Sequence, residues 1–412
     1  MALHVMEEAI RCLECTDPQC QKGCPINTPI PKVINLLKNN ELDKAGRLLF
    51  ENNPLTTVCS LICDHEKQCE GHCILGKDGA PVHFSLIENY ISSTYATKMV
   101  QGPHPSNGMK VAIVGSGPAG LTIAILMARY GYQVTIFENQ DKIGGVLRYG
   151  IPEFRLPKTV LDDIQFRHLE LKGIKIRPNT RIGGAIGVDD LFRDGYNAVF
   201  IGTGVWKANT LRIKGESFGN VHYGINYLNN PDVYKLGERV IVIGAGNAAM
   251  DVARTAIRHG VRELTCFSLN KKIAASKYSY NYAKLEGVKF QYNKKPIEIV
   301  DEGVIFRDLI QHEDGSYTEV EGSDTLYPAD SVLISISQGP QNTIVNSTTG
   351  LNINKKGLLT VDETGHTSRP GIFASGDVVN GARSVVEAVA YSKGVAEAMH
   401  EYIQSTLNKE EE

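Results

Sequence analysis

The sequence predicts an α/β protein with a small helical, cysteine-rich domain in front, and two observations carry that prediction. A buried strand, a glycine turn, a helix and a second buried strand run from Met109, and the same succession returns at Arg239. Ahead of both, eight of the nine cysteines fall within the first 73 residues, in two tight quartets.

The front domain is expected over residues 1–100. Ile30, Val33, Ile34 and Leu37 recur at helical spacing, as do Leu42, Ala45, Leu48 and Leu49, which gives two short helices around a small core. Cys12, Cys15, Cys20 and Cys24 form the first quartet, with Pro25 after it; Cys59, Cys63, Cys69 and Cys73 form the second. Short loops between thiolates let them fold back toward one cluster, and eight sulfurs suffice for two cubane iron–sulfur clusters. Two zinc sites are the alternative, for which the mixed spacings are untidy. A fourth cysteine before a proline serves the other cluster in bacterial ferredoxins, so Cys24–Pro25 warns against grouping by sequence order. His65, His72 and His83 lie nearby and read as surface or packing residues. The segment 101–108, with two prolines and two glycines, reads as a linker.

In the first repeat, Gly115, Gly117 and Gly120 match G-x-G-x-x-G, with Pro118 and Ala119 in the same turn. The glycines permit a tight turn, close approach of a pyrophosphate, and packing of helix on strand. The helix start then offers unpaired N–H groups to phosphate. Glu138, at the end of the following strand, can accept ribose hydroxyls. The second repeat reads Gly244, Gly246 and Ala249, and its second strand ends in Ser268–Leu269–Asn270 with no acid. An arginine pair for a 2′-phosphate is missing there, which favours NAD(H) over NADP(H); Lys271 and Lys272 read as a solvated turn. Short strands follow at 288–292, 297–300, 303–310, 316–322 and 331–337, then a strand, loop and long helix. The last residues, 405–412, read as a charged, frayed tail. Cys266 stands alone inside a strand and reads as a small core residue.

Net charge −3 and pI near 6.4 give no reason to expect nucleic acid or an anionic membrane as partner. The first residues lack an apolar signal core and no long apolar run occurs, so the expectation is a cytoplasmic protein with reduced thiols and no membrane partner.

The stretches CLECTDPQCQKGCP, VCSLICDHEKQCEGHC, VAIVGSGPAG, GGVLRYGIPEFRLPK, VIVIGAGNAAMDVARTA and GIFASGDVVNGA together resemble the flavin-containing electron-input subunits of the glutamate synthase small-subunit type. The dihydropyrimidine dehydrogenase small subunits are the nearest branch. The resemblance covers nearly the whole chain. It implies a helical iron–sulfur domain followed by two Rossmann-like three-layer domains, the nicotinamide domain (228–329) inserted into the FAD domain (109–227 and 330–412). It further implies FAD at Gly115, Gly117, Gly120, Glu138, Gly145, Arg155, Gly376 and Asp377, and a nicotinamide at Gly244, Gly246, Asn247, Ala248 and Gln338. Without it, Asp377 would read as a helix N-cap. Two 4Fe–4S clusters are implied with crossed ligands: Cys12, Cys15 and Cys20 with Cys73 on one, and Cys24, Cys63 and Cys69 with Glu88 on the other. Cys59 is then spare. Read from the residues alone, Glu88 is an ordinary helix-surface acid. The chain departs from many relatives at Cys63–Asp64, where they have Cys-Pro. It departs again at Ser268–Leu269–Asn270 and Ile273–Ala274–Ala275, where they have Tyr-Arg-Arg and Met-Pro-Ala. These last changes put NADPH use in doubt. The implied activity is NADH oxidation with electrons passed to a separate, FMN-containing catalytic subunit in a hetero-oligomer, since the chain ends after the last FAD motif. A small subunit serving glutamate synthase or another reductase is the alternative within the class. A non-catalytic sensor or scaffold is the alternative outside it. With no Cys-x-x-Cys in the nicotinamide domain, a dithiol route is unsupported.

Overall fold

The computed structural model describes residues 2–99 and 102–410. Gln101, the first residue of the expected linker, and Glu411 and Glu412 of the tail lie outside them. The chain forms two compact units: residues 1–147, 153–205 and 340–412 make the first, and 148–152 with 206–339 make the second. The second unit is therefore broader than the expected 228–329, because Val221–Tyr223 and Ser331–Ile334 are strands of its sheet.

In the first unit the cysteine domain is wholly helical. Ile30–Lys38 and Leu42–Asn52 form as the periodicity predicts, and Ile30, Val33, Ile34, Leu37, Ala45 and Leu49 are buried. Ala2–Ile10, Thr56–Ile62 and Phe84–Ala96 complete the layer, with Val5, Ala9, Phe84, Ile87 and Ile91 closing the same core. The rest of the unit is a parallel five-stranded sheet in the order Ile372–Ala374, Ala198–Ile201, Lys110–Val114, Gln133–Phe137, Lys175–Arg177. Its central strands are buried on both faces, as continuous apolar runs require. The helices Pro118–Arg129 and Val385–Glu410 pack on it; the latter continues to Glu410, so the charged tail extends a helix instead of fraying at residue 405.

The second unit repeats the pattern. Its parallel sheet runs Val221–Tyr223, Ser331–Ile334, Arg239–Ile243, Glu263–Phe267, Lys289–Gln291. The antiparallel strands Lys294–Val300, Gly303–Gln311, Tyr317–Glu319 and Thr325–Pro328 are laid against it, with Phe267 stacked on Phe306 at 3.9 Å between ring centres. Of the five expected short strands, those around 288–292 and 331–337 join the parallel sheet and the other three form the antiparallel one. Tertiary pairing decides this, since an isolated apolar run does not state its partner. Among the described residues no helix is long and apolar enough to cross a membrane.

Candidate functional site: two glycine turns and a crossed set of sulfurs

At the first turn, each glycine has a different physical duty. Gly115 has φ +96°, and a Cβ there would lie 2.7 Å from the Gly202 carbonyl. A Cβ on Gly120 would lie 1.9 Å from the Gly115 carbonyl, so the helix Pro118–Arg129 sits on its own turn only because that atom is missing. Gly117 is different: its backbone is extended and nothing lies within 4 Å of the Cβ position. The structure needs no glycine there; a ligand approaching the backbone does. Pro118 and Ala119 open the helix.

Other predicted residues converge on this turn. A Cβ on Gly145 would meet Gly117 Cα at 2.9 Å, and one on Gly376 would meet Ala119 Cβ at 2.9 Å. The Glu138 carboxylate is buried and already held. Oε2 accepts from the Ser116 N–H at 2.9 Å and from the Ser116 hydroxyl, and Oε1 accepts from Gln140 N–H at 2.8 Å. Ser116 also accepts from Gly144 N–H at 3.0 Å, so one serine ties turn, acid and following loop together. Sequence reading missed Ser116, although its place between Gly115 and Gly117 was the available signal. Asp377 is not a cap: Gly376 takes that position, and Asp377 is the first residue of Asp377–Asn380. Burial pushes its carboxyl up to about 6, against a bond from Arg383 N–H. Arg155 lies half-buried on a turn ahead of Lys158–Ile164.

The second turn repeats the plan in the second unit. Gly244 has φ +137°, with the Ser335 carbonyl 2.2 Å from where a Cβ would be, while Gly246 is extended and open. Asn247 and Ala248 start the helix Asn247–Arg258, and Asn247 Oδ1 accepts from Ser276 N–H at 2.9 Å. Ser268 is buried, while Lys271 and Lys272 are exposed. Gln338 pairs with Ala208 in a two-stranded ribbon, three residues beyond Ser335. Cys266 is a buried core residue at 1% exposure, and no second cysteine lies in the unit.

Members of both cysteine quartets meet around one cavity. Cys12, Cys15, Cys20 and Cys73 line one cavity of about 240 Å³, together with Cys69, Ile30, Ile34 and Phe84. Burial raises the Cys12 and Cys20 thiols, Cys20 to about 11, and the charges of Cys15 and Cys73 act on both. The other sulfurs gather around Glu88. Far from a helix-surface acid, Glu88 is 6% exposed on Phe84–Ala96; burial lifts its carboxyl to about 7 although Thr56 donates to it at 2.6 Å. Burial raises the Cys24 and Cys69 thiols, contact with Cys59 and then burial raise Cys63, and the Glu88 charge adds to all three. Cys59 is buried one helical turn before Cys63, and its contact is the first cause raising the Cys63 thiol, ahead of burial.

Thiols lining one cavity, with others beside a buried carboxylate, are donors of the kind iron–sulfur clusters use. Nine cysteines also remain free thiols. Of the histidines, His72 bonds Gln68 O at 2.6 Å and His83 faces Glu70 at 3.3 Å; His65 Nε2 is buried without a partner, and burial lowers the ring's pKa.

Comparisons with known proteins agree with this anatomy. The pyridine nucleotide-disulphide oxidoreductase family matches residues 109–392, and the 4Fe–4S cluster domain II of dihydropyrimidine dehydrogenase matches residues 2–100. The Escherichia coli glutamate synthase (NADPH) small chain is 31% identical over 96% of this chain and 91% of its own length. The Escherichia coli NAD-dependent dihydropyrimidine dehydrogenase subunit PreT is 29% identical over 99% and 96%. FprA from Mycobacterium tuberculosis shares the fold, with TM-score 0.61 and 16% identity over 75% of this chain and 87% of its own. A thioredoxin reductase from T. acidophilum does so with TM-score 0.55 and 24% identity over 72% and 98%. With both glycine turns, an N-terminal iron–sulfur domain and relatives matched over most of their length, the chain belongs to the FAD- and iron–sulfur-containing oxidoreductases of the glutamate synthase small-subunit type.

Proposed function

We propose that this chain is the NADH-oxidising electron-input subunit of a dihydropyrimidine dehydrogenase, feeding a separate FMN-containing catalytic subunit through FAD and two 4Fe–4S clusters. The observation that supports the two-cluster reading is that one cavity mixes the two quartets, lined by Cys12, Cys15, Cys20, Cys69 and Cys73, while the buried Glu88 acts on Cys24, Cys63 and Cys69. A buried carboxylate with one hydrogen bond is costly unless it serves a partner, and a metal cluster is such a partner. Cys59 is the spare thiol beside Cys63.

When bound, FAD and the clusters supply a hydride acceptor and one-electron carriers. The residues here do the holding. Gly117 and the N–H groups opening Pro118–Arg129 receive the FAD pyrophosphate, Glu138 the ribose, and Gly145, Arg155, Gly376 and Asp377 the remainder. Gly244, Gly246, Asn247, Ala248 and Gln338 receive the nicotinamide nucleotide. Preference for NADH follows from Ser268–Leu269–Asn270, which offers no guanidinium for a 2′-phosphate. No side chain is assigned as a general base.

The glutamate synthase reading is supported equally by relatives of that name. Co-purifying the native partner and assaying uracil or thymine reduction decides between them; a glutamate-forming complex overturns the pyrimidine assignment. Anaerobic mixing with NADH is expected to bleach the flavin and then reduce the clusters. No reduction at millimolar NADH or NADPH would leave only the scaffold reading. Glu88→Ala is expected to lose one cluster, measured as iron per chain, whereas Cys59→Ser retains both; the reverse pattern makes Cys59 the ligand.

A further inference from the structure

Lys393 lies on the C-terminal helix Val385–Glu410, yet its ammonium is turned into the cysteine domain. Nζ donates to the Asn52 main-chain carbonyl at 2.8 Å and to Asn52 Oδ1 at 3.3 Å. Asn52 ends Leu42–Asn52, so the first bond meets a carbonyl that the helix leaves unpaired. Arg129 does the same for the Phe50 carbonyl at 2.9 Å. That much is a helix cap, and capping alone would account for a lysine here.

The second bond goes further. Lysine can only donate, so it fixes which end of the Asn52 amide is oxygen. The amide nitrogen then faces the other way and donates to Thr28 Oγ1 at 3.1 Å. Thr28 Oγ1 lies 3.2 Å from Cys24 Sγ. Having accepted from Asn52, the hydroxyl keeps its own proton for the sulfur. Each link therefore runs in one direction, from ammonium to amide to hydroxyl to sulfur. Thr28 is 3% exposed, and Cys24 is among the charges that act on Lys393. No comparable side-chain donor reaches Cys12, Cys15, Cys20 or Cys73 among the described residues; Cys12 and Cys20 take only main-chain N–H bonds.

We infer that Lys393, Asn52 and Thr28 form a hydrogen-bonded relay that carries the field of a half-buried cation to Cys24 Sγ and raises the reduction potential of the cluster this sulfur holds. The inference rests on the assignment of Cys24 as a cluster ligand. One-electron reduction adds a negative charge that spreads onto the ligand sulfurs. A donor and a nearby cation therefore stabilise the reduced form more than the oxidised one. Burial of Thr28 limits solvent screening at the sulfur end of the relay. The two clusters are thereby set apart in potential by residues that touch only one of them.

The test is a potentiometric titration of the holoprotein, followed by the electron paramagnetic resonance of each reduced cluster, with iron and flavin counted. Thr28→Val removes the hydroxyl while leaving the Lys393 cap on Asn52 in place. It is expected to make reduction of one cluster about tenfold less favourable, ~59 mV for one electron, with the other cluster and the flavin unmoved. Lys393→Met is expected to shift the same signal in the same direction, Lys393→Arg and Thr28→Ser to restore it. The double variant Thr28→Val with Lys393→Met should fall short of the sum, since both cut one chain of bonds. Unchanged potentials in iron-replete Thr28→Val overturn the relay. If Thr28→Val fails to assemble its cluster, an unchanged potential in Lys393→Met does so instead. A wild-type protein with only one cluster signal overturns the ligand assignment itself.

Discussion

The two glycine turns are written in nearly the same letters, and they differ where it matters. In the first, Gly120 is packed so tightly that a Cβ would fall 1.9 Å from the Gly115 carbonyl; in the second, Ala249 carries that Cβ, fully buried. The first turn has Glu138 locked to it through Ser116, whereas the second is followed by the buried Ser268 and no acid. Both keep an open glycine, Gly117 and Gly246, with an unstrained extended backbone. The lesson is that a fingerprint mixes two kinds of position. Some glycines are demanded by the fold, and others only by what binds.

The largest effect should come from breaking the tight position. Gly120→Val forces a side chain into main chain that cannot move aside, costing about 3 kcal/mol and the flavin with it. Thermal unfolding together with absorbance of the purified protein measures both losses. If the variant folds and retains flavin, the packing account of Gly120 is wrong.

Gly117→Ala sharpens the contrast. Unfolding of the apoprotein should change by less than about 0.5 kcal/mol, while FAD affinity falls at least about tenfold, ~1.4 kcal/mol, read by flavin titration. Equal loss of stability and binding would show that Gly117 belongs to the fold. Gly246→Ala is the matching probe in the second unit. It should leave flavin content intact and raise the KM for the nicotinamide several-fold in a ferricyanide assay, and an unchanged KM would remove Gly246 from the site.

A smaller change is expected from supplying what the second turn lacks. Leu269→Arg with Asn270→Arg offers a guanidinium pair at the strand end, and should raise NADPH over NADH by about tenfold in kcat/KM. A wild-type protein that already prefers NADPH would reverse the assignment. The smallest effect near neutral pH belongs to Asp377, which has no counterpart in the second unit. Its folded pKa, about 6, lies above the ordinary carboxyl value, so the folded state holds its proton longer than the unfolded one. Stability from this group is therefore lost as pH rises from about 4 to about 6. Asp377→Asn should remove that slope in acid-range unfolding curves.

Much of this anatomy was legible in the sequence. Strand, glycine turn and helix are adjacent in the chain, and their period and steric demands are local, so both nucleotide turns could be read residue by residue. The helical stripes at Ile30–Leu37 and Leu42–Leu49 were equally plain. Where partners lie far apart in sequence, reading by residue type failed. Glu88 looks like any helix-surface acid until the fold buries it and Thr56 donates to it. The strands 289–291 and 331–334 read only as members of a run of short strands, and their parallel neighbours are set by the tertiary structure.

The sequence by itself determined the kinds of site this protein carries: two dinucleotide turns and a supply of thiolates. Their steric and chemical requirements are met within a few consecutive residues. Only the tertiary structure shows which distant side chains meet. Cys69 and Cys73 line one cavity with Cys12, Cys15 and Cys20, Thr56 donates to the buried Glu88, and a lysine from the last helix reaches Cys24 through two intermediaries. Those pairings join segments from 12 to 393, and no local pattern encodes them; they arise because burying each helix face brings together polar groups that must find partners.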